Sequence, residues 1–305
     1  MLANFFNKST PFHTLVIVLF VLLIMLIVAF QADILSFNPS FLLKEIAIFL
    51  LLIGSFFMVH FINFKNKLVK ENAYDLLIFL ILIALFHNIT LHINLILTHL
   101  ILLFAFRRIY SLRSPKNVRE KIFESGLYIG LATIFYPFSM LYLILCIAAV
   151  LIFERRTIRN IFIPIVGFMV PLFLYGTYLF LTDQFSPDFI VFNTNFSYSA
   201  YNNFTILIPI TLLITLLLWT IFSSTVKVLA VNNEFKSFWI LVLVHLALSI
   251  FISIPAPIKD GSEFIFLFFP SLVLFTNYLQ MATDHWFKEV FIYLMVAGAI
   301  AVFLV

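Results

Sequence analysis

Apolar residues run along this chain in blocks, separated by short polar or charged interruptions. Blocks lie at about 13–30, 45–64, 74–86, 92–106, 160–182, 205–224, 237–254, 264–283 and 289–305. A further uncharged run, 125–153, is flanked by two basic clusters, RRIYSLRSPKNVREK (107–121) and ERRTIR (154–159). Its 29 positions would make a helix of about 44 Å. That is too long for one comfortable crossing of a hydrocarbon layer about 30 Å thick, and short for two full ones. Pro137, in Tyr136-Pro137-Phe138-Ser139, removes a helix donor and clashes with the preceding turn. The run is therefore expected to fold back at Pro137 as a hairpin of two short helices. The run 74–106 repeats the design, interrupted by HNITLHIN at 87–94. The pattern predicts an all-α polytopic transmembrane bundle of about eleven helices, with residues 1–305 forming a single transmembrane domain.

Composition agrees with the pattern. The 305 residues are 64% hydrophobic and 10% charged, against about 25% charge in soluble domains. A net charge of +4 does not point to nucleic acid, because the cations sit in short loops where topology demands them. The single cysteine, Cys146, leaves no intrachain disulfide and no cysteine metal site. The run at 12–30 is long for a signal-peptide core and no A-x-A site follows it, so it reads as the first membrane helix. With the N-terminus inside, sixteen Lys and Arg fall in inner loops and only Lys44 and Lys259 fall outside. That bias predicts a cytoplasmic N-terminus and an outer C-terminus.

Candidate chemistry gathers at the outer ends. Carboxylates there are Asp33, Glu45, Asp183, Asp188, Asp260 and Glu263, with Lys259 beside the last two and His87 and His92 at the outer turn of the second hairpin. The functional reading is an outward pocket in which a carboxylate is a general base and a Lys or His holds a phosphate. The bland reading is solvated loop ends. Asp33, a few residues past helix 1, is the foremost candidate base. His87, His92 and His99 could form a three-histidine metal site, but no carboxylate or cysteine joins them locally, so polar contacts within the bundle are expected and no metal site is assigned. His60 and His245 read as interhelical hydrogen-bonding groups. The stretch FNTNFSYSAYNN at 192–203 suits either a sugar-binding surface or an interfacial aromatic belt. The basic cluster 107–121 suits anionic lipid headgroups as well as topology. No P-loop, GxGxxG, HExxH or CxxC occurs, no cofactor is implied, and the near absence of ionisable groups inside the later helices argues against an ion-coupled pump.

Two stretches carry a family resemblance. FESGLYIGLATIFYPFSMLYLILCIAAVLIFERRTIRNIFIPIVGFMVPLFLY (123–175) resembles the middle of GT-C type glycosyltransferases through Gly126, Gly130, Leu131, Ala132, Pro137, Arg155, Arg156, Gly167 and Pro171. PIKDGSEFIFLFFPSLVLFTNYL (257–279) resembles their late outer loop through Lys259 and Pro270. The whole chain is similar to an uncharacterised multi-spanning inner-membrane family of Bacteroidota. The resemblance implies a GT-C-like protein of the bacterial inner membrane, handling a polyprenyl-phosphate-linked sugar at the outer face. Asp33 would then be the catalytic base, with Lys259, His92, Asp260 and Glu263 binding substrate. Typical members pair the acid of the first outer loop, whereas Asp33 stands alone, and they carry a soluble domain absent here. Two other readings stand: a non-enzymatic subunit of a membrane complex with partner membrane proteins, and a transporter of a lipid or amphiphile. Membrane lipids are expected partners in all three.

Overall fold

The computed structural model describes residues 5–6, 10–31, 38–155, 157–186, 190–229, 233–282 and 284–304. Among the described residues the chain forms eleven α-helices and no strand. They are α1 (Pro11–Gln31), α2 (Pro39–Asn66), α3 (Tyr74–Leu85), α4 (Ile93–Tyr110), α5 (Val118–Phe135) and α6 (Tyr142–Ile152). The remainder are α7 (Ile158–Leu181), α8 (Phe204–Leu229), α9 (Asn233–Ser253), α10 (Phe268–Met281) and α11 (His285–Leu304). Among the described residues eight spans are long and apolar enough to cross a membrane. The outward faces of α1 and α7 expose large apolar side chains such as Leu19, Phe30, Phe162, Phe173 and Leu174. This is a multi-pass membrane protein whose outer helices contact lipid.

The helices run alternately between two ends. One is the basic end, where α2 and α4 finish close together around Lys65, Lys67, Arg107 and Arg108. Lys70, before α3, pairs its backbone with the side chain of Gln280 at the close of α10. The far end collects the opposite termini. Gln31, closing α1, donates to the carbonyl of Phe303 near the end of α11, and the ring of Phe303 lies 4.8 Å from that of His87.

The expected interruptions appear in a specific form. The 12 residues of α3 and the 11 of α6 rise only about 16–18 Å as α-helix. Each is completed by a five-residue 3-10 segment, His87–Leu91 or Pro137–Leu141, at about 2.0 Å per residue. A third such segment, Ser262–Leu267, leads into α10. All three lie at the far end. Sequence reading placed 107–121 outside the helices, yet α4 continues to Tyr110 and α5 begins at Val118. Long cationic side chains lay their stems on apolar surface and keep their heads at its edge, as Arg107 does over the Phe61 ring at 5.1 Å. The helices can therefore carry these charges.

Packing has two focal points. Helix α10 is buried at every residue from Phe268 to Leu279, so a mostly apolar helix enclosed on all sides occupies the middle of the bundle. The α5–α7 seam depends on glycine: a Cβ on Gly126 would lie 2.1 Å from the Pro164 carbonyl oxygen, and one on Gly167 would lie 2.2 Å from that of Phe123. Small residues let membrane helices approach backbone to backbone. Gly126 and Gly130 thus face α7 rather than the hairpin partner α6. Pro164 and Pro171 both sit inside α7, which runs on to Leu181, close to the end of the apolar block at 160–182.

Candidate functional site

The far end is assembled from three chain regions. The loop after α9 supplies Lys259 and Asp260, and Gly261 at φ 93° turns it into the 3-10 segment that carries Glu263. Glycine adopts that left-handed conformation without steric cost. The α3–α4 connection supplies Asn88 and His92, and the α7–α8 connection supplies Asn195, Tyr198 and Tyr201.

Asp260 is held from several sides. His92 Nε2 lies 2.6 Å from Asp260 Oδ2, while the Ser262 amide and hydroxyl donate to Oδ1 at 3.0 and 2.5 Å. Asn88 donates to the Asp260 carbonyl at 2.9 Å. Burial pushes the Asp260 carboxyl up, but the hydrogen bonds from His92 and Ser262 outweigh it and hold the group below the usual carboxylate range.

Lys259 is buried, and its ammonium donates to the carbonyls of Ser253 at 3.0 Å and Ile254 at 2.6 Å. It also lies 5.1 Å from the Tyr198 ring centroid and 5.9 Å from that of Tyr201, within cation–π range. Burial lowers its pKa, opposed in part by the charge of Glu263. Glu263, 1% exposed, accepts a hydrogen bond from the Tyr201 hydroxyl through Oε1. Its Oε2 is buried and has no protein partner. Burial and then the bond to Glu263 raise the Tyr201 phenol above its ordinary value. Tyr201 thus links the cation to the carboxylate, hydroxyl to one and ring face to the other.

Beside these groups lies a cavity of about 290 Å³, walled by His92, Asn94, Phe135, Tyr136, Pro257 and Glu263 among others. It brings two of the sequence candidates, His92 and Glu263, onto one wall, with Asp260 bonded behind His92. Lys259 stands one aromatic layer away, committed to carbonyls. Asp33 and Asp188 lie outside the described residues. Glu45 sits half-buried on α2 and Asp183 exposed beyond α7, and neither lines the cavity. The three histidines of the second hairpin go separate ways: His92 to Asp260, His87 against Phe303, and His99 into the core beside Phe268. Burial lowers the pKa of His87. Among the described residues no three His, Cys, Asp or Glu side chains gather as metal ligands.

The residues that sequence reading did not single out are Tyr201, Asn88, Ser262 and Ser253. Tyr201 lay within the amide- and tyrosine-rich 192–203 and Asn88 within an Asn-x-Thr triplet, while Ser253 and Ser262 carried no signal of their own. A family model, DUF6427, a family of unknown function, matches residues 1–305. The chain belongs to that family. No curated protein and no solved structure matches it. Membership of DUF6427 thus assigns no activity, and the chemistry of this member rests on the geometry above.

Proposed function

We propose that this membrane protein, with its basic end toward the cytoplasm of a bacterial inner membrane, binds the head of a polyprenyl-phosphate-linked sugar in the far-end cavity, as a GT-C-like protein would. One observation carries the reading: Glu263 is a buried carboxylate on a cavity wall with one oxygen held by Tyr201 and the other unpartnered. An unsatisfied buried acceptor is costly, and a sugar hydroxyl entering the cavity would satisfy it. A volume near 290 Å³ sits at the lower end for small-molecule sites, about 300–1,000 Å³, which suits a head rather than a prenyl chain.

In this reading each group has a role. Glu263 accepts from the sugar, His92, oriented by Asp260, faces the linking phosphate, and buried Lys259 contributes positive charge without direct contact. Asp33 takes the proton of the acceptor hydroxyl as it attacks the anomeric carbon and the polyprenyl phosphate departs. The binding test is Glu263→Gln in lipid nanodiscs, probed with a polyprenyl-phosphate hexose and with polyprenyl phosphate alone. Loss of one charged hydrogen bond should weaken the sugar-bearing lipid by about tenfold and leave the bare lipid unchanged. Equal affinity of wild type and variant for the hexose lipid would remove Glu263 from the site. Asp33→Asn should abolish transfer to an acceptor, and full transfer by that variant would remove Asp33 as the base.

A further inference from the structure

The basic end holds a second site. Lys65 and Lys67 at the end of α2, Arg107 and Arg108 at the end of α4, and Arg113 and Lys121 beyond them line a cavity of about 480 Å³. Among the described residues its lining contains no carboxylate. Some of these cations already have structural work. Lys121 Nζ donates to the carbonyls of Ser111 at 2.7 Å and Ser114 at 3.2 Å, and Arg108 pairs with Glu124. Arg155 reaches the same turn from beyond α6, donating to the carbonyls of Leu112 and Arg113 at 3.3 and 2.8 Å. The turn between α4 and α5 is thereby fixed from behind.

Lys65, Lys67 and Arg107 are different. None forms an ion pair with a described carboxylate, and Lys65 and Arg107 hold their like charges over one ring, Phe61, at 5.2 and 5.1 Å. Lys67 is fixed at φ 54°, its amide bonded to the carbonyls of Asn63 and Phe64. Membrane topology requires cations in this region but not their convergence on one cavity. Lys116, between α4 and α5, and Arg119, in the first turn of α5, would serve topology equally and do not line it. Lys65 and Lys67 also border a larger cavity of about 1020 Å³, whose walls combine Phe64, Leu68, Val69, Phe235 and Met281 with Lys70, Glu71, Lys227, Asn277 and Gln280 at its rim. A cationic recess and a larger one whose wall surface is mostly apolar therefore share two lysines, which complements a molecule with an anionic head and an apolar tail.

We propose that this pair of cavities is a specific site for an anionic phospholipid, its phosphate held by Lys65, Lys67 and Arg107 and its acyl chain lying in the larger recess. Basic recesses between membrane helices on the cytoplasmic side take lipid phosphates in this way. The site is independent of the far-end cavity and stands whether or not a sugar lipid binds there.

The test uses the full chain, purified and delipidated in a neutral detergent, with phosphatidylglycerol, phosphatidylcholine and inorganic pyrophosphate as three probes. Lipid adducts are counted by native mass spectrometry, and the thermal midpoint follows each titration. Phosphatidylglycerol should bind saturably at one site and raise the midpoint, while the other two probes should not. Lys65→Ala combined with Lys67→Asn, which keeps a residue tolerant of positive φ, should weaken that binding by about tenfold or more. Arg107→Gln should do so separately. The control, Lys116→Gln with Arg119→Gln, removes as much charge from the same end and should bind as wild type does. Equal loss in the control would reduce the effect to general charge, and equal binding of phosphatidylcholine would exclude phosphate recognition. Stabilisation by pyrophosphate matching that by phosphatidylglycerol would make the ligand a free phosphate. Each of these three results overturns the proposal.

Discussion

The two ends of the bundle treat charge in opposite ways. At the far end His92 meets Asp260, Tyr201 meets Glu263, and Lys259 is wrapped by carbonyls and aromatic rings. At the basic end six cations line a cavity whose described lining offers no carboxylate, and three of them, Lys65, Lys67 and Arg107, have no ion-pair partner among the described carboxylates. Buried charge is tolerated only with partners, so the far end has had to build an internal network. Half-exposed cations keep their hydration and can remain in surplus, available to a ligand. A charged loop on a membrane protein therefore carries two kinds of information, and cavity geometry separates them.

Three further experiments would break or sharpen this contrast. The largest effect is expected at Gly126 in the α5–α7 seam, which spans between the ends. A Cβ there meets backbone at 2.1 Å, whereas one on Gly54 would meet only the Leu100 side chain at 3.5 Å. Gly126→Ala should cost about 1–3 kcal/mol, read as a lowered thermal midpoint in detergent, and Gly54→Ala should cost far less. Equal midpoints for the two variants would mean that the seam is not what holds the ends in register.

A smaller effect is expected from Asp75, a buried carboxylate at the basic end that is treated as the far end treats its own. Asp75, 1% exposed, is met by His60 Nδ1 at 2.9 Å, Asn63 Nδ2 at 3.4 Å and the Leu76 amide at 2.9 Å. His60→Ala removes one of three partners and should cost about 1–2 kcal/mol. An unchanged midpoint would show that Asn63 and the amide suffice.

The smallest effect concerns acid. Asp260 in the folded protein lies below its unfolded value, so the stability it contributes is present above the unfolded pKa, about 3.9, and is lost as pH falls through the folded one. The midpoint of the wild type should fall as the medium is taken from about pH 5 toward pH 3. Asp260→Asn should flatten part of that fall while lowering the neutral-pH midpoint by about 1 kcal/mol or less, because both partners are partly exposed. An identical acid limb in the variant would place the sensitivity elsewhere.

The bundle was legible in the sequence because membrane insertion acts on local apolar runs, and each run of about twenty residues reports its own crossing. The fold-backs at 87–94 and Pro137 were legible for a related reason: run length and thickness disagreed. Helix ends were displaced where cations snorkel, as at Arg107 and at the start of α5. His92, Asp260 and Glu263 stood out as charges in an apolar chain, but their convergence depends on the 3-10 segments, which leave no periodic trace in so short a stretch. Tyr201 was hidden among neighbouring tyrosines and amides, with nothing local to mark which one meets a carboxylate. Lys259 shows the limit most clearly. Its charge suggested a phosphate ligand by type, while its two carbonyl partners, on Ser253 and Ile254, left no mark in the sequence.

Winding also decides which side chains look the same way. In a 3-10 segment residues three apart are eclipsed, whereas in an α-helix they are offset by about 60°. Glu263 and Phe266 are such a pair in Ser262–Leu267, and the Phe266 ring lies 4.7 Å from that of Tyr136, which walls the cavity with Glu263. The tighter coil thus acts as an angular address, setting Glu263 and Phe266 on one face of the segment. Rewinding that one turn as α-helix would leave every residue in place along the sequence and turn Glu263 and Phe266 about 60° apart.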